Sequence, residues 1–351
     1  MRTLDKNTRS VAFCLLFLLL FEAGLRAVEV SREDGLPPIR PTGRPVLLVM
    51  GSSRTKTGIS PDIIDATLAE NGIRDSWTAN LSLQATTCFG LYRHYMETVH
   101  PWASRTASHG IVAIEVGGAA LNDGYVNPRE EPFLAEAGFW RNIRAGKPGE
   151  AARSLLWKTR LSRSKQILRE LATAKSRSAA LKRKELPAAG APHDSLGIIE
   201  YLQSFEWGTE SRGWVERPFR RAHPNTEQVQ EKFETVLLRD FKMGGLQTEY
   251  LVRLIRQIRR DGFTPALYAM PVTSLHRSFY PGGRYAEFLA HARRVATEER
   301  ILFVDLDTGH GLDEKAFRDS HHLHSSGAIE VSKRLALRLF LPLLAVPPSM
   351  N

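Results

Sequence analysis

Apolar positions in this chain fall into short, nearly continuous runs separated by longer stretches in which they recur every three or four residues. Pro45 to Met50 is apolar throughout and lies between Arg44 and Gly51, the pattern of a strand buried on both faces. Runs of the same kind at 79–83, 110–116, 265–272 and 301–306 predict four more strands. Between them, Ser60 followed by Pro61 marks a helix start, with Ile63, Ile64 and Leu68 as its apolar face. Further helices are predicted over 89–100, 246–260, 285–299 and 328–341, whereas 51–58 is read as a polar loop. Strands alternating with helices predict a parallel sheet covered by helices on both faces. Ligands of such sheets sit at the carboxyl ends of the strands. That edge gathers Ser53, Gln84, Ala85, Gly117 to Asn122, and Asp319 with His322.

Two regions break the alternation. Residues 127–245 are too many for an ordinary loop. Trp157, Leu161, Leu168 and Leu171 recur there at helical spacing, and 225–245 also reads as helical, so a long, mostly helical insertion is expected. At the other break, Lys6 and Arg9 precede an apolar run from Val11 to Phe21. A basic flank and a run of this length suit a signal peptide or signal anchor over 1–27 better than a full membrane span, which needs about 20 residues. Residues 28–44, with Pro37, Pro38 and Pro41, read as a linker. The expected division is therefore 1–27, 28–44, an α/β domain built from 45–126 and 246–345, and the insertion 127–245.

Charge sharpens the view of the insertion. The whole chain of 351 residues carries +10, but residues 141–184 hold fourteen Lys or Arg against two Glu, a net +12. The basic character belongs to one segment, which is suited to contact with an anionic polymer or lipid. No nucleic-acid-binding signature accompanies it, and export argues against a nucleic-acid partner. Of the two cysteines, Cys14 lies in the N-terminal apolar run, which leaves Cys88 without an intrachain partner in a processed or anchored protein, so no disulfide framework is expected.

The chemistry lies at the two ends of the α/β pattern. Asp319-Ser320-His321-His322-Leu323 places a carboxylate and an imidazole three residues apart on a turn, where one ring N–H faces the acid and the other nitrogen is left for a nucleophile. Gly51-Ser52-Ser53 at the end of the first strand offers that nucleophile. The roles are nucleophile Ser53, general base His322 and orienting acid Asp319. The backbone N–H of Ser53, with groups at the ends of the second and third strands, would stabilise an oxyanion.

Gly51-Ser52-Ser53, together with Asp319-x-x-His322-Leu323 and Gly327, resembles the first and last sequence blocks of the SGNH/GDSL hydrolases. The resemblance covers roughly 45–125 and 262–341. It implies a three-layer α/β/α flavodoxin-like fold with strand order 2-1-3-4-5. It also implies ester hydrolysis through an acyl-serine, without metal or organic cofactor. Ser53 falls at the nucleophile position, and Ser52 stands where the family has Asp. The middle blocks depart from the family pattern. The second has no glycine, leaving the Ala85 N–H as its donor, and the third has Ala119 at its Asn position, with Gly117 and Asn122 as the remaining candidates.

The expected activity is hydrolysis of an O-acyl, above all O-acetyl, ester on a cell-envelope carbohydrate or small ester by an exported or anchored enzyme. O-acyl transfer to an envelope polysaccharide, or a catalytically silent glycan-binding protein on the same fold, are the alternatives. His321 and His324 are expected to face solvent or to be structural. Adjacent histidines on a loop should diverge, and so no metal is expected. Glu115, inside the third strand, is expected to be a satisfied buried carboxylate near the site.

Overall fold

The structure is a computed structural model that describes residues 45–125 apart from 84–85 and 107–109, residues 127 and 130, and residues 233–345 apart from 239. The N-terminal apolar run, the linker, the basic segment 141–184, nearly all of the insertion, and Ala85 lie outside the described residues.

Five strands, β1 (Val46–Met50), β2 (Trp77–Asn80), β3 (Gly110–Val116), β4 (Phe263–Ala269) and β5 (Leu302–Asp305), form one sheet in the order β2-β1-β3-β4-β5. Every pairing is parallel. This is the three-layer α/β/α arrangement and the strand order that the family resemblance implied. The helices are α1 (Ser53–Gly58), α2 (Pro61–Glu70), α3 (Cys88–Thr98), α4 (His100–Thr106), α5 (Gly118–Leu121), α6 (Leu246–Arg260), α7 (Ser274–Ser278), α8 (Arg284–Glu298), α9 (Ser325–Leu335) and α10 (Leu341–Ala345). None in the described residues is long and apolar enough to cross a membrane.

The central strand β1 shows how the apolar run makes three layers. Val46, Leu48 and Met50 join one core with Tyr95 of α3, Leu254 of α6 and Phe288 of α8. Leu47 and Val49 join the other core with Ile64 and Leu68 of α2 and Val331 and Leu335 of α9. All five residues are at most 1% exposed, so each contributes roughly 1.5–3 kcal/mol of burial. The carboxyl ends of β1 and β3 are thereby fixed from both sides.

Two elements differ from the sequence pattern. The stretch read as a loop after β1 contains α1, and Ser53 is its first residue. Ser52 caps that helix by accepting the Arg54 N–H on its side chain. A six-residue polar helix has no apolar stripe to betray it. The last helix starts at Ser325, before the predicted 328, because its first turn is Ser-Ser-Gly. It then loosens into a π-turn at Ala336–Phe340.

Residues 233–245, assigned by pattern to the end of the insertion, are tied to the sheet domain. Phe233, Leu237 and Leu238 pack on the α3/α6/α8 core. The Asp123 carboxylate accepts the backbone N–H groups of Gly245 and Gln247 at 2.5 and 2.7 Å, anchoring the start of α6.

His94, on α3, couples this core to pH. Burial pushes its imidazole down to about 4, with the Leu81 carbonyl working against this and Arg93 and Lys56 adding to it. An unfolded chain takes up the same proton near pH 6.5. The stability that neutral His94 provides is therefore present above pH 6.5 and lost as the pH falls from there towards 4. Urea unfolding at pH 5 should give a stability lower than at pH 7 by up to about 2 kcal/mol from this group. In His94→Leu that share of the difference should vanish.

Candidate active site

The site begins with the turn at 319–322. The Asp319 Oδ1 atom accepts the backbone N–H of both His321 and His322, at 2.9 and 2.8 Å. This folds the turn back on its own acid and leaves Oδ2 for the His322 ring, whose Nδ1 lies 2.8 Å away. The turn is pinned at its base. Arg318 N–H donates to the His322 carbonyl, His324 N–H to the Ala316 carbonyl, and the Thr273 N–H and hydroxyl both donate to the Ser320 carbonyl. Leu323, fully buried in the α2/α9 core, locks the position of its neighbour His322.

Across the gap, His322 Nε2 lies 2.9 Å from Ser53 Oγ. Two ends of the chain, 269 residues apart, thus meet at hydrogen-bonding distance. Burial alone would raise the Asp319 carboxyl, but His322 and His321, with hydrogen bonds from the His322 ring and the His321 backbone, hold it well below the usual carboxylate range. An ionised Asp319 only accepts hydrogen bonds, so His322 Nδ1 carries a proton towards it, and in the neutral ring the Nε2 lone pair faces the Ser53 hydroxyl. This is the protonation pattern in which an imidazole takes a proton from serine.

Glu115 organises the other side of Ser53. Its carboxylate is buried at the end of β3 and accepts the Ser52 N–H at 2.6 Å, the Ser52 hydroxyl at 2.9 Å and the Thr55 hydroxyl at 2.6 Å. Arg54 Nη2 completes the set at 2.6 Å. Burial works against the Arg54 charge, and Glu115 beside it more than offsets this and keeps the guanidinium protonated. Thr55 has spent its one proton on Glu115, so the Tyr268 hydroxyl, 2.7 Å away, donates to Thr55. Burial and the neighbouring Glu115 push the Tyr268 phenol well up and keep that proton in place. Residues 52, 54 and 55 are thus held to one carboxylate while Ser53 between them faces His322. Gly51 is required by this close approach, because a Cβ there would lie 2.4 Å from Glu115 Oε2.

No protein-family model matches the chain, and no curated protein matches it. Solved structures do. The chain is similar to a lipase/acylhydrolase from Enterococcus faecalis, at 12% identity and TM-score 0.37, covering 84% of this chain and 96% of that one. It is also similar to two catalytic mutants of an acetylxylan esterase from Geobacillus stearothermophilus, at 12% and 13% identity and TM-score 0.38. Those matches cover 86% and 88% of this chain and 97% and 98% of the other.

The expected oxyanion donors divide. Ser53, as the first residue of α1, has a backbone N–H with no acceptor in the preceding turn of that helix. Gly117 lies against Arg54, whose Nη2 fills the space a side chain would take. Asn122 is fully buried, and its amide is committed elsewhere: Nδ2 donates to the Leu237 carbonyl, and Oδ1 accepts from Gly124 and Lys242 N–H. Asn122 therefore holds the 233–245 segment in place.

The pairing of His321 with His322 differs from expectation, whereas His324 is structural. The rings of His321 and His322 converge, with centroids 4.1 Å apart, and His321 is only partly exposed. His324 is buried at the start of α9. Two neighbours were not foreseen. His276 on α7 is buried with its ring 5.0 Å from that of His321, and Phe233 packs edge-on against both, at 4.8 and 5.4 Å. Burial, then the nearby charges of His321 and Arg54, holds His276 neutral, well below the usual histidine range. Neither position carries a sequence signal, because Phe233 lies outside the alternating pattern and His276 in a short helix.

Proposed function

We propose that the protein is an SGNH-type serine hydrolase that cleaves an ester through an acyl-serine intermediate. The observation that carries this reading is the unbroken chain from Asp319 Oδ2 through the His322 ring to Ser53 Oγ, at 2.8 and 2.9 Å. In the forward step His322 Nε2 takes the Ser53 proton as Oγ attacks the ester carbonyl, and Asp319 stabilises the imidazolium that forms. In this reading the Ser53 N–H donates to the developing oxyanion. The imidazolium then returns the proton to the leaving alkoxide, and a water activated by the same nitrogen releases the acid. Within this reading the substrate is an O-acetyl or other O-acyl ester on an envelope carbohydrate, met after export. The N-terminal apolar run and the basic segment 141–184 are the features that suggest that setting. A silent glycan-binding protein would not need the Ser53 and His322 side chains to meet.

Hydrolysis of p-nitrophenyl acetate by purified wild type and Asp319→Asn tests the reading. The substituted amide presents an N–H or a neutral oxygen to His322, disfavours the working tautomer and fails to stabilise the imidazolium. The rate should fall by about 10³–10⁴-fold. Equal rates in the two proteins would remove Asp319 from the mechanism.

A further inference from the structure

The convergence of His321 on His322 gives the site a second chemistry. One ligand atom each from Asp319, His321 and His322 lie within 4.8 Å of one another, and all three residues are partly exposed. The Asp319 carboxylate reaches both rings, with Oδ2 2.8 Å from His322 Nδ1 and Oδ1 3.5 Å from His321 Nδ1. A tetrahedral zinc ion with bonds of about 2.0–2.1 Å sets its ligand atoms about 3.3 Å apart. The His322 separation is shorter than that value and the His321 separation longer, each to a different carboxylate oxygen. Phe233 and His276 pack against His321 and restrict its ring.

We propose that Asp319, His321 and His322 form a binding site for a divalent transition-metal ion of the zinc class, and that its occupation switches Ser53 off. Two imidazoles and a carboxylate are a donor set such ions accept, with solvent in the fourth position. The inference rests on the serine-hydrolase reading for its consequence, though not for the binding itself. The proton balance explains the switch. Neutral His322 carries one proton, on Nδ1, which it shares with Asp319. An ion on Nδ1 needs that lone pair, so the proton moves to Nε2 and none is released. Nε2 then presents N–H to Ser53 Oγ and no longer accepts its proton. The ion also takes the carboxylate that would stabilise the imidazolium.

The test uses full-length protein treated with a chelator, a fluorophosphonate probe for Ser53, Zn²⁺ as inhibitor and Co²⁺ as spectroscopic reporter. Zn²⁺ should slow labelling of wild type at least ten-fold, and chelator should restore it. Co²⁺ should give the intense visible absorption of a low-coordinate site in wild type and in Ser53→Ala alike. In His321→Ala the Co²⁺ concentration needed should rise by about 100-fold, as expected when a ligand is lost from a site where even outer partners matter 10–100-fold. The ratio of labelling with and without Zn²⁺ should approach one in that variant. Labelling that Zn²⁺ leaves unchanged in wild type, or inhibition equally strong in His321→Ala, overturns the inference. Should His321→Ala fail to fold, Co²⁺ binding to Ser53→Ala decides, and its absence overturns the inference. Absence of labelling in metal-free wild type would instead count against the hydrolase reading, whatever Co²⁺ does.

Discussion

Ser53→Ala is expected to lower kcat/KM for an activated acetyl ester by about 10⁴-fold or more while leaving the fold intact. The loss is large because, in the proposed mechanism, the hydroxyl is the group that bonds to the acyl carbon once the base has taken its proton. Whatever rate remains would come from the oxyanion donors and from binding. His322→Ala should lose a similar amount, and the double variant little more, because nucleophile and base act as a unit. Stopped-flow or plate-based hydrolysis assays of the three proteins check this. Additive losses would contradict it. The fold should survive because the Ser53 hydroxyl, paired with His322, takes no part in the Glu115 network that holds α1.

Glu115→Ala is expected to have the largest effect on stability. The side chain is 2% exposed and satisfies Arg54, Ser52 and Thr55 at once. Its removal strands the Arg54 guanidinium, whose side chain is only 13% exposed. Breaking a buried pair from one side typically costs about 3–5 kcal/mol, a large part of the roughly 5–15 kcal/mol that holds a typical domain together. The Ser52 N–H and the Thr55 hydroxyl would also lose their acceptor, at about 1–3 kcal/mol for each group left unpaired. Urea titration should show the midpoint falling steeply. Replacing both partners, as in Arg54→Met with Glu115→Leu, should recover part of the loss, since an apolar pair leaves no stranded charge. If the single variant unfolds at the wild-type midpoint, Glu115 is not what holds the start of α1.

Much of this was visible in the chain. Pro45 to Met50 is apolar on both faces because the sheet has helices on both sides, and that run alone locates the central strand and places Ser53 just beyond its end. The Asp319 to His322 spacing is local, so a turn brings acid and base together whatever the rest of the fold does. The convergence of His321 on His322 was not legible, because it depends on Phe233 and His276, which pack against His321 from distant parts of the sequence. Glu115 was readable as a buried carboxylate that needed partners. That its partners would be residues 52, 54 and 55 depends on the register that aligns Met50 with Ile114. Asn122 kept the residue type that the family resemblance calls for and lost its position, and only the hydrogen bonds of its amide separate the two.

The central claim is that Ser53 is the residue that takes the acyl group. Intact-mass spectrometry of the protein after exposure to a fluorophosphonate, followed by peptide mapping, tests it most directly. One adduct per chain, on the peptide carrying Ser53 and absent from both Ser53→Ala and His322→Ala, is the predicted result. An unmodified protein, or an adduct on another residue that persists in Ser53→Ala, would contradict it.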